Sequence, residues 1–277
     1  IRSGFHHQYM RNMLQLNNGD KTFSEIGQLS GISNTDWSWA PLFADFDNDG
    51  LKDLFITNGY YRDYTNLDFI NYMEDFVQSK GRLQRQDVLE LIKKMPASDL
   101  TNFYYTNTDG INFKDNTSHA GIDQPANSNG AIYTDLDNDG DLDLVVNNIN
   151  KPAFIYRNDS SKKNNTFLNI KLKGENKNTN GIGTKISAFS NGQVQVIEQM
   201  PTQGYLSTVS TILHFGFGEN TKIDSLLVEW NSGKKEILKD ISVNKLLVVE
   251  ESNASPLKLK VVKPDLLFAK TESLINF

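Results

Sequence analysis

Two short stretches hold the residues most able to do chemistry: "DFDNDGLKDL" (45–54) and, ninety residues later, "DLDNDGDLDL" (135–144). Each reads Asp-x-Asp-x-Asp-Gly-x-x-Asp. Positions 1, 3 and 5 are Asp45, Asp47 and Asp49 in the first loop, and Asp135, Asp137 and Asp139 in the second. Gly50 and Gly140 at position 6 permit a sharp turn, and Leu51 and Asp141 at position 7 offer a backbone carbonyl. Asp53 and Asp143 at position 9 are expected to close the shell. Oxygen-only ligands at alternate positions of a turning loop suit a hard cation. The competing reading is a solvated acidic hairpin, but carboxylates converging within one turn would then repel one another uncompensated.

Position 12 is Ile56 or Val146, where an EF-hand needs a bidentate Glu, and each loop leads into a strand pattern instead of a helix. Dockerin-like modules repeat at a much shorter interval. Both loops resemble the calcium loop of FG-GAP propeller repeats, as in integrin α heads and bacterial VCBS proteins. They match at positions 1, 3, 5, 6 and 9, and Asn48 and Asn138 at position 4 suit left-handed backbone geometry. The resemblance implies two Ca²⁺ sites, and flexible multi-oxygen coordination favours Ca²⁺ over Mg²⁺. A carboxylate committed to Ca²⁺ cannot shuttle a proton at neutral pH, so the implied role is a structural staple.

The elements that must position these loops repeat with them. "LNNGDKTFSEIGQLSGI" (16–32) and "TNTDGINFKDNTSHAGI" (106–122) align at the same interval, pairing Asn17 with Asn107, Phe23 with Phe113, Gly31 with Gly121 and Ile32 with Ile122. Such self-similarity marks a repeat architecture. About four short strands per copy is the size of a propeller blade. Two blades cannot close a ring, so the rest of the propeller is expected from the remainder of the protein or from a partner chain. Between the copies, at about 65–95, apolar residues spaced three and four apart predict two amphipathic helices inserted between blades. Thr65 with Asp68 is read as the helix start and Pro96 as the stop. The repeat region is taken as 1–160.

A polar linker, "YRNDSSKKNN" (156–165), precedes a second β-rich region at 166–251, where seven or so alternating segments predict a sandwich or barrel. "NGIGTKI" (180–186), "QGYLSTVS" (203–210), "LHFGFG" (213–218) and "IDSLLVEWNSGKKEIL" (223–238) resemble the ASPIC/UnbV domain, which follows FG-GAP repeats in the cartilage acidic protein family; Asn231 departs from that family's usual Pro. The fold class is therefore all-β: a partial β-propeller of two blades with a helical insertion, then a β-sandwich or barrel. The combination resembles large surface proteins of Bacteroidetes. Residues 252–277 read as a linker into further repeats, which makes both termini interior cuts.

Composition closes several alternatives. The chain has no cysteine, which removes disulfides and thiol chemistry. It has no apolar run of membrane-spanning length and no basic stripe for nucleic acid. Nine of its 34 acidic residues lie in the two loops, more than the whole net charge of −6. No metalloprotease, nucleophile-elbow or P-loop motif occurs. His6, His7, His119 and His214 each read as ordinary, and Trp37 and Trp39 as core or a sugar-stacking pair. The expectation is a non-catalytic, calcium-stabilised module of a larger protein, extracellular or on the outer-membrane surface. It would bind surface glycan or protein, beside outer-membrane nutrient-uptake proteins. The alternative is an accessory or catalytic part of a polysaccharide-degrading enzyme.

Overall fold

The computed structural model describes residues 11–149, 151–160 and 164–256. His6, His7 and the expected lead into further repeats at 266–277 lie outside those residues.

The described chain is all-β with one helical insertion, a partial propeller followed by a sandwich. Nine short strands form the first part: β1 (Gln15–Asn17), β2 (Phe23–Glu25), β3 (Ser38–Ala44), β4 (Asp53–Asn58), β5 (Phe103–Asn107), β6 (Phe113–Asp115), β7 (Ser128–Thr134), β8 (Asp143–Asn148) and β9 (Phe154–Tyr156). They make a two-stranded sheet β1-β2, a four-stranded antiparallel sheet β3-β4-β5-β6 and a three-stranded sheet β7-β8-β9. The ninety-residue period extends to irregularities. The bulge between Ser38 and Pro41 in β3 returns between Ser128 and Ala131 in β7.

The complete four-stranded blade is out of frame with the sequence repeat. It takes β3 and β4 from the first copy and β5 and β6 from the second. Its central strand β4 is buried along its whole length and alternates with period two between neighbours. Phe55 packs with Leu42, Leu144 and Val146 toward β7–β9, while Leu54 and Ile56 pack with Ile32 and Tyr105 toward the β1-β2 hairpin. Each fully buried side chain of this size contributes about 1.5–3 kcal/mol, so the two faces together define the stacking of the sheets.

Helices α1 (Leu67–Lys80) and α2 (Arg85–Lys94) leave from β4 and return into β5. They therefore interrupt one blade and do not separate two, a correction that the shifted frame requires. The α1 cap is Asn66, whose side chain accepts from the Phe69 N–H, while Thr65 bonds back to Asp63. An Asx side chain at the N-cap satisfies one of the four free N–H groups of the first turn. Gln84 and Asp87 form a reciprocal capping box on α2.

The second part holds β10 (Phe167–Lys173), β11 (Lys185–Ser190), β12 (Gln193–Glu198), β13 (Ile212–Gly216), β14 (Lys222–Glu229), β15 (Lys234–Ser242), β16 (Lys245–Glu250) and the short β17 (Ser255–Pro256). Sheets β13-β10-β16 and β12-β11-β14-β15-β17 enclose a core of Leu168, Ile170, Ile186, Phe215, Leu226 and Trp230. β10 and β16 run parallel; the other pairs are antiparallel. Pairing of β17 with β15 ties the first residues of the expected 252–277 linker to the sandwich.

The two parts are joined by more than their linker. The connection between β12 and β13 reaches back so that Val209 enters the core shared by the blades. Gln203 accepts a hydrogen bond from the Tyr133 hydroxyl at 3.0 Å. Trp37 and Trp39 are half-buried. Trp37 stacks on Tyr60 at 4.3 Å, and Trp39 meets Tyr205 from the sandwich at 4.9 Å.

Candidate metal centres at the twin acidic loops

Each loop joins the first two strands of its sheet, β3 to β4 and β7 to β8. The backbone obeys the same constraints twice. Asn48 and Asn138 adopt φ of 59° and 62°, and Gly50 and Gly140 adopt 96° and 95°. Asn tolerates the left-handed region and Gly is suited to φ near +95°, which is why these types stand at positions 4 and 6.

These turns bring three carboxylates together in each loop. One oxygen each from Asp45, Asp47 and Asp49, and likewise from Asp135, Asp137 and Asp139, lie within 4.8 Å of one another. Backbone N–H groups orient them. Asp45 accepts from Asp49 at 3.1 Å and Gly50 at 2.9 Å, and Asp135 accepts from Gly140 at 3.1 Å. Asp49 accepts from Leu51 at 2.7 Å, and Asp139 from Asp141 at 3.0 Å.

Position 9 does a different job. Asp53 accepts from the Tyr104 hydroxyl and the Asn107 N–H, both at 2.9 Å, and Asp143 from the Leu136 and Asn158 N–H groups at 2.9 and 2.8 Å. Asn107 and Asn158 also donate to the carbonyls of Lys52 and Leu142. So Asp53 and Asp143 fasten each loop to the next strand region, and neither belongs to the converging triad. At position 7, Leu51 contributes its N–H to Asp49, and the Asp141 carboxylate accepts from Asn48 of the other loop at 3.0 Å.

The electrostatics favour a bound cation. Burial, reinforced by Asp49, pushes the Asp45 carboxyl up to about 8. Burial pushes Asp53 up to about 7 against the hydrogen bonds it accepts, and raises Asp135 as well. Asp135 Oδ1 is buried and accepts no hydrogen bond among the described residues. A buried carboxylate oxygen without a donor, in an all-oxygen cluster, fits a hard divalent ion.

Residues 5–56 match the family model for the FG-GAP-like repeat, and residues 174–256 match that for ASPIC and UnbV. The chain joins an FG-GAP-like repeat to an ASPIC/UnbV domain. No curated protein matches it. The repeat match ends at Ile56, so the second loop is assigned by its matching geometry.

The ASPIC/UnbV domain contributes residues to this site that spacing alone does not reveal. His214, on β13, is buried between the loops. Its Nδ1 lies 2.7 Å from Asn169 Oδ1 and its Nε2 2.6 Å from Asn48 Oδ1. Asn48 Nδ2 donates to Gly140 O and Asp141, and Asn169 Nδ2 donates to Asp135 at 3.2 Å. Burial, with the Lys52 charge second, pushes the imidazole down to about 3. A neutral ring donates from one nitrogen only. Which of the two Asn oxygens accepts from it depends on the tautomer. A lone His carries no local signal, and "LHFGFG" pointed to the ASPIC/UnbV resemblance and not to this site.

Proposed function

We propose that this chain is a calcium-stabilised, non-catalytic interaction module of a larger cell-surface protein. FG-GAP and ASPIC/UnbV domains mark an extracellular-type repeat module. Among the described residues no helix is long and apolar enough to cross a membrane. The observation that carries the reading is the pair of carboxylate triads, one with a buried oxygen lacking a donor. Ca²⁺ supplies the positive charge that lets these carboxylates ionise away from water. Asp45, Asp47 and Asp49 would hold one ion and Asp135, Asp137 and Asp139 the other. The chain's own part is to fix each loop by Asn48 or Asn138, Gly50 or Gly140, and the Asp53 or Asp143 tether. The ligand is surface glycan or protein, and the remaining blades come from outside these residues.

Thermal unfolding in EDTA, Ca²⁺ and Mg²⁺ tests this directly. A ligand that binds only the folded state stabilises it by about 2.7 kcal/mol per site at 100-fold saturation. The expected result is a large upward shift of Tm in Ca²⁺ and a much smaller one in Mg²⁺. Equal melting in all three buffers would remove calcium from the account.

A further inference from the structure

The "LHFGFG" strand end lies against the acidic loops with a closeness that ordinary domain packing does not require. A Cβ at Gly216 would stand 2.2 Å from Asp45 Oδ2 and 2.5 Å from Asn48 Cα. Only glycine permits that approach. Gly218 N–H donates to Asn48 O at 2.7 Å, and Asn165 donates to Asp47 O at 2.7 Å. The second loop is covered likewise: a Cβ at Gly140 would strike the Phe167 ring, which stacks on His214 at 6.0 Å. Through Asn48 and Asn169, His214 then ties the first loop to the ligand-bearing Asp135 of the second. Three segments far apart in sequence thus meet at one imidazole.

We infer that the ASPIC/UnbV domain is part of the cation centre: His214, Gly216 and Asn169 position both acidic loops, so domain docking and cation binding are one linked equilibrium. The inference rests on the reading that the loops hold Ca²⁺. His214 and Asn169 are positioning residues, acting through hydrogen bonds on ligands they help orient, and such outer contacts commonly change metal affinity about 10–100-fold. Reciprocity is a consequence of linkage. If docking strengthens cation binding, the cation strengthens docking by the same factor.

Hydrogen exchange on the full chain, with Ca²⁺ and with EDTA, supplies the first test. Chelation is expected to raise exchange at least tenfold in peptides covering 45–53, 135–143 and also 212–220. Calorimetric titration with Ca²⁺ supplies the second. Gly216→Ala, acceptable to the strand itself, is expected to weaken the first site at least tenfold. His214→Leu should weaken both sites and His214→Gln should recover part of the loss, while Val194→Ala, exposed on β12 of the same domain, changes neither. Protection of 212–220 that ignores chelation while the loops respond, or wild-type affinities in Gly216→Ala, would overturn the inference and leave the calcium reading standing. No heat and no change in exchange anywhere would overturn both.

Discussion

Asp45 lies at a place that water barely reaches, with only 4% of its surface exposed, and would have to ionise there to hold a cation. Its folded pKa of about 8 and that of Asp53 at about 7 lie far above the ordinary 3.8. A raised carboxyl pKa means that the folded state keeps a proton the unfolded state has released. Stability from such groups is present below pH 3.8 and lost as pH rises through 7 and 8. His214 works the other way, with its depressed pKa acting below pH 6.5. Between about pH 6.5 and 8.5 the Asp45 and Asp53 carboxyls make Tm in EDTA fall, a slope that the buried Lys52, with its lowered pKa, offsets in part. In saturating Ca²⁺, where the ion replaces the proton, the fall should vanish. A flat profile in EDTA would show that the carboxylates are ionised without help. Asp45→Asn removes the buried charge altogether. It should raise Tm in EDTA at about pH 8 and, in titration, delete the first calcium site while sparing the second.

At the scale of elements, the twin copies act as internal controls. The three-stranded sheet passes from β8 to β9 through the short segment 149–153, where the four-stranded sheet carries α1 and α2 between β4 and β5. Within those helices only Phe69 and Leu91 are buried. Replacing 65–95 with a short turn, which leaves the Tyr60–Ser98 bridge in place, should therefore keep β-rich circular dichroism and the calcium-dependent rise in Tm. Loss of both would make the helices part of the folding core. The loops, the repeat and the two helices were legible because each is written locally, as carboxylates every second residue, a ninety-residue echo, and apolar spacing near 3.6. Asn66 displaced Thr65 as the cap because Thr65 is already bound to Asp63 two residues before it, a local turn that the helix-start pattern does not weigh. His214 was illegible for a stronger reason. Its partners Asn48 and Asn169 are 166 and 45 residues away, so its meaning exists only once the domains meet.

Across the whole molecule, the repeat and the sandwich share more than a tether. Val209 is in the blade core, Tyr205 meets Trp39, and the Gly218 N–H donates to the Asn48 carbonyl of the first loop. A module docked this way unfolds together with its neighbour. Calorimetry of the full chain in Ca²⁺ should give one cooperative transition, and two separable ones would mean that the junction is weak. The shifted frame has a further consequence for how such a chain can lengthen. A duplicated ninety-residue unit never contains a finished sheet; it brings the outer half of one and the inner half of the next. Each newcomer must interlock with the units on both sides, as overlapping roof tiles do. Growth by copying thus leaves no seam between old units and new, and the unfinished halves remain at the outermost ends alone.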